Sequence, residues 1–310
     1  MNVLFHYSAG PDLAARLAAL SSETLHIVPC AEPDPLLLAK TDILWHVLAP
    51  ASAPLIAAAP RLRLIQKIGV GVNTIDLDAA RARGIPVCNL PGTNARAVAE
   101  LTLALMLAAL RRLPLFHAAM REGRGFMLDP ASQDGIGELG GRTVGLVGYG
   151  AVPSVLAPIL GALGCRVIYT ARSPRADAAG EFRALHALLA EAEVISLHVP
   201  LTKETERMID AAAFAAMRPG AVLVNTARGG LVDQAALVDA LRSGRLAAAG
   251  LDVFAGEPPA PDDPLLRLPN VVLTPHIGWL TTATFDRSFT LAVENCRRLA
   301  AGEVLLHRVV

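Results

Sequence analysis

Cysteine is scarce in this chain, and charge of neither sign is in surplus. Only four of the 310 residues are cysteine and no two form a CxxC pair, which argues against a disulfide framework and against a structural zinc site. We expect no metal site and interpret the cysteines as buried free thiols. Because 28 lysines and arginines balance 28 aspartates and glutamates, the charge favours neither nucleic acid nor an anionic membrane as a partner. The expected partners are small molecules.

A secretory leader and a membrane-spanning run are also lacking. Residues 1–8 have neither the basic start nor the apolar core of a signal peptide, and they predict a strand instead. The most apolar run, residues 97–110, contains Glu100, is followed by Arg111 and falls short of the ~20 residues that cross a bilayer. It predicts a buried helix. We expect a cytoplasmic protein without membrane contact.

Hydrophobic residues, in contrast, make up 53% of the chain, which at this length favours two domains. The first ninety residues alternate helical stretches with the β-rich runs VLFHYS, LHIVP, ILWHVLA and LRLIQKIG, a rhythm typical of a parallel sheet covered by helices. Gly69, Gly71 and Asn73 then predict a tight turn, followed by a helix over 75–83 and a strand at IPVCNL.

A second α/β series begins abruptly at RTVGLVGYG. Before it, the sequence predicts one long helix over 93–113, ending near Pro114, and a glycine-rich surface connection over 121–141. Six strand-like runs then follow in βαβ order, as a doubly wound dinucleotide-binding fold requires. A last helix over 282–301 precedes the ending EVLLHRVV, which we expect to return to the first domain.

The predicted fold class is therefore α/β, with two doubly wound parallel-sheet domains. A Rossmann-type cofactor domain, residues 94–281, is inserted into a smaller flavodoxin-like substrate domain made of residues 1–93 and 282–310. Ligands are expected at the carboxyl ends of the strands, where open α/β sheets bind them.

Gly148 and Gly150 lie between the first strand of the second series and a helix, which is the context of a dinucleotide-binding loop. The first glycine allows a sharp turn, and the second lets backbone amides approach a pyrophosphate at the positive end of the helix. Pro153 stands where a third glycine is usual; proline is tolerated in a first helical turn but prevents the closest packing of helix and strand. A bare GxG also fits a turn without a ligand, but its place in the series favours a cofactor loop.

The next strand ends in YTARSPR, with no carboxylate before Asp177. NAD-binding versions of this fold place an aspartate or glutamate here to accept hydrogen bonds from the ribose hydroxyls. Ser173 offers a hydroxyl instead, and Arg172 and Arg175 can pair with a 2′-phosphate. NADP(H) is therefore the favoured cofactor. The alternative is that these arginines form only a solvated loop face and that NAD(H) is bound.

Three polar side chains follow later strands of the series: Arg228 in NTARGG, Glu257 after GLDVFAG and His276 in TPHIGW. Alone, each is explained as a surface charge or a structural histidine, but together they suit one reaction. Arg228 can bind the carboxylate of a 2-keto acid and polarise the adjacent carbonyl. His276 can deliver the proton that the reduced carbonyl oxygen needs, and Glu257 would favour the imidazolium and orient its ring.

These motifs, together with VGLVGYG, LHVPLTKETERMID and MRPGAVLVNTARGGLVDQAALVDAL, resemble the D-isomer-specific 2-hydroxyacid dehydrogenase family over most of residues 66–300. The resemblance implies that Arg228, Glu257 and His276 form the catalytic triad. It also implies an NAD- or NADP-dependent oxidoreductase acting on a small 2-hydroxy or 2-keto acid.

The resemblance further implies a set of binding residues. The backbone of Val70 and Gly71 is expected to bind the substrate carboxylate, beside Arg228 and His276. The Asp252 side chain is expected to hold the nicotinamide amide. The full set of expected cofactor contacts is Gly148, Gly150, Ala151, Val152, Arg172, Ser173, His198, Pro200, Thr205, Thr226, Ala227, Asp252, His276 and Gly278.

Two departures from the family pattern bear on cofactor and substrate. Pro153 interrupts the glycine fingerprint, and Thr170 replaces the usual aspartate, which makes the chain similar to the NADP-using glyoxylate and hydroxypyruvate reductases. The expected reaction is the reduction of such a 2-keto acid to the D-2-hydroxy acid, with hydride from the nicotinamide and the proton from His276. Trp279 either shapes the substrate pocket or packs between the domains.

Three alternatives share the fold. Formate oxidation releases no alcohol proton, so Glu257 argues against a formate dehydrogenase. A phosphoglycerate dehydrogenase is harder to exclude; many of these carry a C-terminal regulatory domain, whereas this chain ends 34 residues after His276. A dinucleotide-sensing corepressor shares the triad, but long flanking arms would be expected of it.

The predicted helix over 93–113 is more apolar than one face against a single domain requires. The resemblance implies a dimer in which such a helix is shared between subunits. We therefore predict a homodimer.

Overall fold

Two compact units make up the chain in the computed structural model, which describes residues 1–126 and 130–310. One unit comprises residues 1–94 and 281–310, and the other comprises residues 95–280. Residues 127–129, part of the connection predicted over 121–141, lie outside the described residues.

The first unit is built of parallel strands that alternate with helices. Its elements are β1 (Asn2–His6), α1 (Pro11–Leu20), β2 (His26–Pro29), α2 (Pro35–Lys40), β3 (Ile43–His46), α3 (Ala53–Ala58), β4 (Leu64–Lys67), α4 (Leu77–Ala82), β5 (Val87–Cys88) and α11 (Thr282–Ala301). The strand order is β2-β1-β3-β4-β5, as in flavodoxin-like folds. The central strands β3 and β4 are buried along their whole length, as expected of a parallel sheet covered on both faces.

Local capping explains where helices of this unit begin. Asp34 accepts a hydrogen bond from the Leu37 amide at 2.7 Å, and Asp76 accepts one from the Ala79 amide at 2.9 Å. The helix predicted over 75–83 therefore starts at Leu77, one residue after its cap.

The last residues of the chain pair with the edge strand of this sheet. Cys88 and Arg308 form an antiparallel bridge, and the Val309 amide donates to the Val87 carbonyl oxygen at 2.7 Å. The pairing satisfies backbone groups that β5 would otherwise expose at the edge.

The described residues of the second unit form a seven-stranded parallel sheet with helices. Its elements are α5 (Ala95–Leu110), α6 (Leu113–Arg121), β6 (Thr143–Val147), α7 (Ala151–Ala162), β7 (Arg166–Thr170), β8 (Glu181–Phe182), α8 (Leu185–Glu191), β9 (Val194–Leu197), α9 (Ala211–Ala216), β10 (Ala221–Asn225), α10 (Gln234–Arg242), β11 (Leu246–Leu251) and β12 (Val271–Leu273). The order β12-β11-β10-β9-β6-β7-β8 is the Rossmann order with one strand added beyond the sixth. The predicted fold class, two doubly wound parallel-sheet units, is confirmed.

The single helix predicted over 93–113 is wrong at its end. α5 ends at Leu110, Arg112 adopts a left-handed backbone with φ 49°, and α6 begins at Leu113 with Pro114 in its first turn. Pro114 therefore opens a second helix, because proline is accommodated where helical amides have no partner.

The apolar helix α5 packs against the second unit's sheet. A Cβ on Gly250 of β11 would lie 2.9 Å from the Leu105 Cβ, so the helix approaches the strand as closely as glycine allows. None of the described helices is long and apolar enough to cross a membrane. Cys88 and Cys296 are fully buried, whereas the other two cysteines are only half-buried.

Candidate active site

The carboxyl edge of the second unit's sheet carries the predicted cofactor and catalytic side chains of this unit. β6 lies beside β9, the point where the strand order reverses and where this fold binds ligands. Gly148, with φ 99°, follows β6, and a Cβ here would lie 2.8 Å from the His198 carbonyl oxygen. Only glycine combines this backbone conformation with so close an approach.

The amino end of α7 fits an anionic group. Gly150 is the N-cap residue and offers no side-chain cap, and Pro153 in the first turn has no N–H. The amides of Ala151 and Val152 therefore have no acceptor among the described residues, at the positive end of a twelve-residue helix. A Cβ on Gly150 would meet nothing within 4 Å, so the space beside the N-cap residue is open. The geometry suits a dinucleotide pyrophosphate.

The loop after β7 presents Arg172 and Ser173 to solvent. Among the described residues Arg172 makes no ion pair, whereas Arg175 holds both oxygens of Asp177, at 2.9 and 2.8 Å. Both arginines are expected from the sequence to suit a 2′-phosphate. In the structure Arg175 is paired with Asp177 at the surface, whereas Arg172 has no ion-pair partner in the part of the chain that the structure describes.

Arg228 follows β10 in a turn fixed by Asn225. The buried Asn225 side chain accepts from the Ala227 amide at 3.0 Å and donates to the Arg228 carbonyl oxygen at 2.8 Å. In such a turn the asparagine side chain takes the place of a backbone peptide group in the hydrogen bonding and so fixes the backbone. The Arg228 side chain thus leaves the sheet from a defined position.

Gly229 permits the next contact of this turn. A Cβ on Gly229 would overlap the backbone of Phe254, so the chain after Arg228 runs directly against the segment that leads to Glu257. Any larger residue would force these two segments apart.

Glu257 and His276 form a hydrogen-bonded pair. The His276 Nδ1 and Glu257 Oε2 atoms are 2.6 Å apart, and Glu257 Oε1 accepts from the Phe254 amide at 3.0 Å. The carboxylate orients the imidazole, and the ring's Nε2 remains to face a reacting atom.

The opposite charges of this cluster affect the pKa values of Glu257 and Arg228. Burial alone raises the pKa of Glu257, but the hydrogen bond and charge of His276, the Phe254 amide and the Arg228 charge outweigh it and hold the pKa below its ordinary value. Burial lowers the pKa of Arg228, against the opposing charge of Glu257. A guanidinium remains charged despite such a shift. The site therefore combines a fixed cation, a fixed anion and an imidazole.

Asp252, fully buried after β11, holds the loop that carries His276. Its Oδ1 accepts from the Thr274 hydroxyl at 2.6 Å and the Ile277 amide at 2.9 Å, and its Oδ2 accepts from the Gly278 amide at 2.8 Å. His276 has φ 54°, a left-handed conformation that a non-glycine residue keeps only when its surroundings enforce it. The hydrogen bonds of Asp252 enforce it here, and its predicted contact with the nicotinamide amide stays a prediction.

His198, after β9, lies beside the glycine loop. Burial lowers the pKa of its imidazole to about 3, and its Nε2 is buried without a partner among the described residues. A neutral ring with an unsatisfied nitrogen at the switch point is consistent with the predicted contribution to the cofactor site.

Pro200 and Thr205 lie in the segment that follows His198, and the Thr205 hydroxyl donates to the Pro200 carbonyl oxygen at 2.7 Å. After β10, the buried Thr226 hydroxyl lies 2.8 Å from that of Thr102 on α5. Ala227 is half-buried next to it. These residues line the same edge as Gly148 and Arg228.

Val70 and Gly71 lie in the first unit, in the loop after β4, where Asn89 donates to the Val70 carbonyl oxygen at 2.9 Å. Their binding of a substrate carboxylate stays a prediction. Trp279 is buried, and its indole N–H donates to the His276 carbonyl oxygen at 3.0 Å. It thereby supports the backbone of His276.

Sequence reasoning missed Asn225, Gly229 and the structural role of Asp252. Asn225 had a local signal, because asparagine at a strand end commonly forms such turns. Gly229 and Asp252 had none, since their partners lie more than twenty residues away along the chain.

The family model described as D-isomer specific 2-hydroxyacid dehydrogenase, NAD binding domain, matches residues 103–278, more than half of the chain. Together with the fold and the cluster above, this match shows that the chain belongs to the D-isomer-specific 2-hydroxyacid dehydrogenase family. That family is NAD(P)-dependent and acts on small 2-hydroxy or 2-keto acids.

Individual relatives point to more than one substrate. The chain is 44% identical over 255 residues to D-3-phosphoglycerate dehydrogenase of Mycobacterium tuberculosis, covering 81% of this chain and 47% of the relative. It is 40% identical over 274 residues to glyoxylate reductase of Aeropyrum pernix, covering 86% and 82%. The crystal structure of the TT0316 protein from Thermus thermophilus superposes with a TM-score of 0.88 at 39% identity, covering both chains fully. The chain thus spans about half the length of the phosphoglycerate dehydrogenases that it matches.

Proposed function

We propose that this protein reduces a small 2-keto acid of the glyoxylate or hydroxypyruvate type to the D-2-hydroxy acid, with NADPH as the preferred reductant. The observation that carries the proposal is the hydrogen bond between His276 and Glu257, 2.6 Å long, on the same edge as Arg228. An anion clamp and an oriented proton donor are what a carbonyl beside a carboxylate requires.

The residues divide the reaction between them. Arg228 binds the substrate carboxylate and polarises the neighbouring carbonyl. The bound nicotinamide supplies the hydride. His276 donates a proton from Nε2 to the carbonyl oxygen as negative charge develops there, and Glu257 stabilises the charged ring before the transfer. We retain Val70 and Gly71 as proposed substrate contacts, because their loop lies at the carboxyl edge of the first unit's sheet.

The proposed preference for NADPH rests on the loop after β7. Position 170 is a threonine, so it has no carboxylate to repel a 2′-phosphate. The exposed Arg172, which makes no ion pair with any described residue, lies next to Ser173 in the chain. Charge-assisted contacts to a phosphate are among the stronger hydrogen bonds in proteins.

Initial rates of NADPH and NADH oxidation with glyoxylate, hydroxypyruvate, pyruvate, phenylpyruvate and phosphohydroxypyruvate test this proposal. We expect the highest kcat/KM with glyoxylate and hydroxypyruvate. With each of these two acids, kcat/KM should be higher with NADPH than with NADH. A preference for NADH would overturn the cofactor assignment. Absence of turnover with every pair, despite cofactor binding, would favour a dinucleotide-sensing role.

Phosphohydroxypyruvate is included because phosphoglycerate dehydrogenases are the relatives with 44% identity. A chain that acted on this substrate would use the same Arg228, Glu257 and His276 for the same carbonyl. The highest kcat/KM with phosphohydroxypyruvate would therefore change the substrate but not the roles of the residues.

The proposal includes a homodimer formed through α5 and α6. Leu107 is 38% exposed, and Leu113 and Met120 are each 53% exposed, so these two helices carry apolar side chains that a subunit contact would bury. Light scattering should give twice the chain mass of 32.5 kDa. A monomeric mass at working concentration would contradict this part of the proposal.

A further inference from the structure

We propose that the hydroxyl groups of Tyr149 and Tyr169 fix the β7–β8 loop, residues 171–180, in the shape that presents Arg172 and Ser173 to the 2′-phosphate of NADPH. The inference rests on the proposed preference for NADPH. It assigns the two tyrosines as positioning residues for cofactor specificity.

Tyr169 fixes the first half of the loop. It lies in β7 and is 1% exposed, so its ring cannot move without disturbing the core. Its hydroxyl oxygen accepts from the Arg175 amide at 2.7 Å and donates to the Arg175 carbonyl oxygen at 3.3 Å. Arg175 therefore has a fixed backbone position, and Arg172 and Ser173 lie on the short arc between it and the end of β7.

Tyr149 fixes the second half from the glycine loop. Its buried hydroxyl accepts from the Ala179 amide at 2.7 Å, and its carbonyl oxygen accepts from the Arg175 guanidinium at 3.3 Å. The rings of Tyr149 and Tyr169 pack together with centroids 4.5 Å apart. One aromatic pair thus links the pyrophosphate-binding loop to both halves of the β7–β8 loop.

The charges in the loop explain why a fixed loop shape would favour NADPH. The exposed Arg175 guanidinium is paired with Asp177, whereas Arg172 forms no ion pair among the described residues and is therefore the more available of the two charges for a ligand. A loop held in one shape before binding loses less freedom when the phosphate docks. The hydroxyls should therefore strengthen the binding of NADPH, whose phosphate the loop contacts, and hardly affect NADH.

Removing each hydroxyl while keeping the ring tests the inference. We expect Tyr169→Phe and Tyr149→Phe to raise the dissociation constant of NADPH, measured by calorimetry, on the order of fivefold, the usual effect of one lost hydrogen bond. The dissociation constant of NADH should stay within about twofold, well below that effect. Tyr7→Phe, in the first unit and the third tyrosine of the chain, is the matched control and should change neither constant.

Arg172→Ala distinguishes the positioning role of the two tyrosines from the proposed preference for NADPH. We expect this variant to bind NADPH more weakly, and Tyr169→Phe to add little further loss in the Arg172→Ala background, because both act through the same contact. Loss of NADPH binding in Arg172→Ala but not in either tyrosine variant would overturn the positioning role alone, as would equal losses for NADPH and NADH. Unchanged NADPH binding in Arg172→Ala would overturn the cofactor preference, and the positioning role with it.

Discussion

Two regions at the carboxyl edge of the second unit's sheet differ in whether their polar groups already have hydrogen-bonding partners. After β10 to β12, Glu257 and His276 are hydrogen-bonded to each other, and Asp252 holds the loop that carries His276 in place. After β6 and β7, the first amides of α7 and the Arg172 guanidinium have no partner among the described residues. The first region is preorganised for a reaction, and the second is open to a ligand. Substitutions in the first should therefore change the rate, and those in the second should change cofactor binding.

The largest effect is expected at His276. His276→Ala removes the proton donor, and kcat with glyoxylate should fall by about 10²- to 10⁴-fold, the usual contribution of general acid catalysis. The dissociation constant of NADPH, measured by fluorescence, should stay close to that of the wild type. A variant with unchanged kcat would remove His276 from the mechanism.

Arg228→Ala should have the next largest effect, on rate and substrate binding together. Loss of the guanidinium removes both the carboxylate clamp and the polarisation of the carbonyl, so kcat/KM should fall by about 10²- to 10³-fold. Steady-state kinetics over a range of glyoxylate concentrations separate KM from kcat. Arg242→Ala, an exposed arginine at the end of α10, is the control and should keep the wild-type values. A rise in KM with kcat unchanged would limit Arg228 to ground-state binding.

Arg172→Ala tests whether the region after β6 and β7 affects cofactor binding without affecting the rate. Loss of a charged hydrogen-bonding partner should weaken NADPH binding by about ten- to a hundredfold. The kcat at saturating NADPH should hardly change, because the catalytic cluster is untouched. A large fall in kcat at saturation would show that the two regions are not separable in function.

Glu257→Gln should have the smallest kinetic effect of these substitutions. The amide can still hydrogen-bond to the His276 ring, but it lacks the negative charge that stabilises the charged ring in the proposed transfer, so kcat with glyoxylate should fall by about tenfold. Steady-state kinetics of the wild type and the variant at one pH measure this loss. An unchanged kcat would mean that Glu257 only orients the ring.

The Glu257 carboxylate also makes the stability of the wild-type protein depend on pH. Because the pKa of Glu257 lies below its ordinary value of ~4.3, its ionised form favours the folded state above that pH. This contribution to stability is lost only as the pH falls through the lowered pKa. Thermal unfolding of Glu257→Gln and the wild type should therefore converge in strong acid and differ above it.

The sequence predicted that Arg228, Glu257, His276 and the glycine loop lie at the carboxyl edge of one sheet, because each combines a residue type with a place after a strand; their catalytic and cofactor-binding roles stay predictions. It did not predict β8, since Glu181 and Phe182 are both exposed and show no apolar pattern. The break between α5 and α6 was missed because Pro114 fits the end of one helix as well as the start of another. The engagement of Arg175 by Asp177 depends on side-chain geometry that the sequence letters do not specify. Contacts such as those of Gly229 and Asp252 join distant segments and leave no local signature.

The most direct test is a single turnover, in which protein preloaded with one equivalent of NADPH is mixed with saturating glyoxylate and the nicotinamide absorbance is followed. We expect the wild type to oxidise the bound NADPH in one rapid phase and to form glycolate. We expect His276→Ala, with the same NADPH bound, to do so at least about 10²-fold more slowly. Equal rates in the two proteins, or no oxidation by a wild type that binds both ligands, would contradict the proposed mechanism.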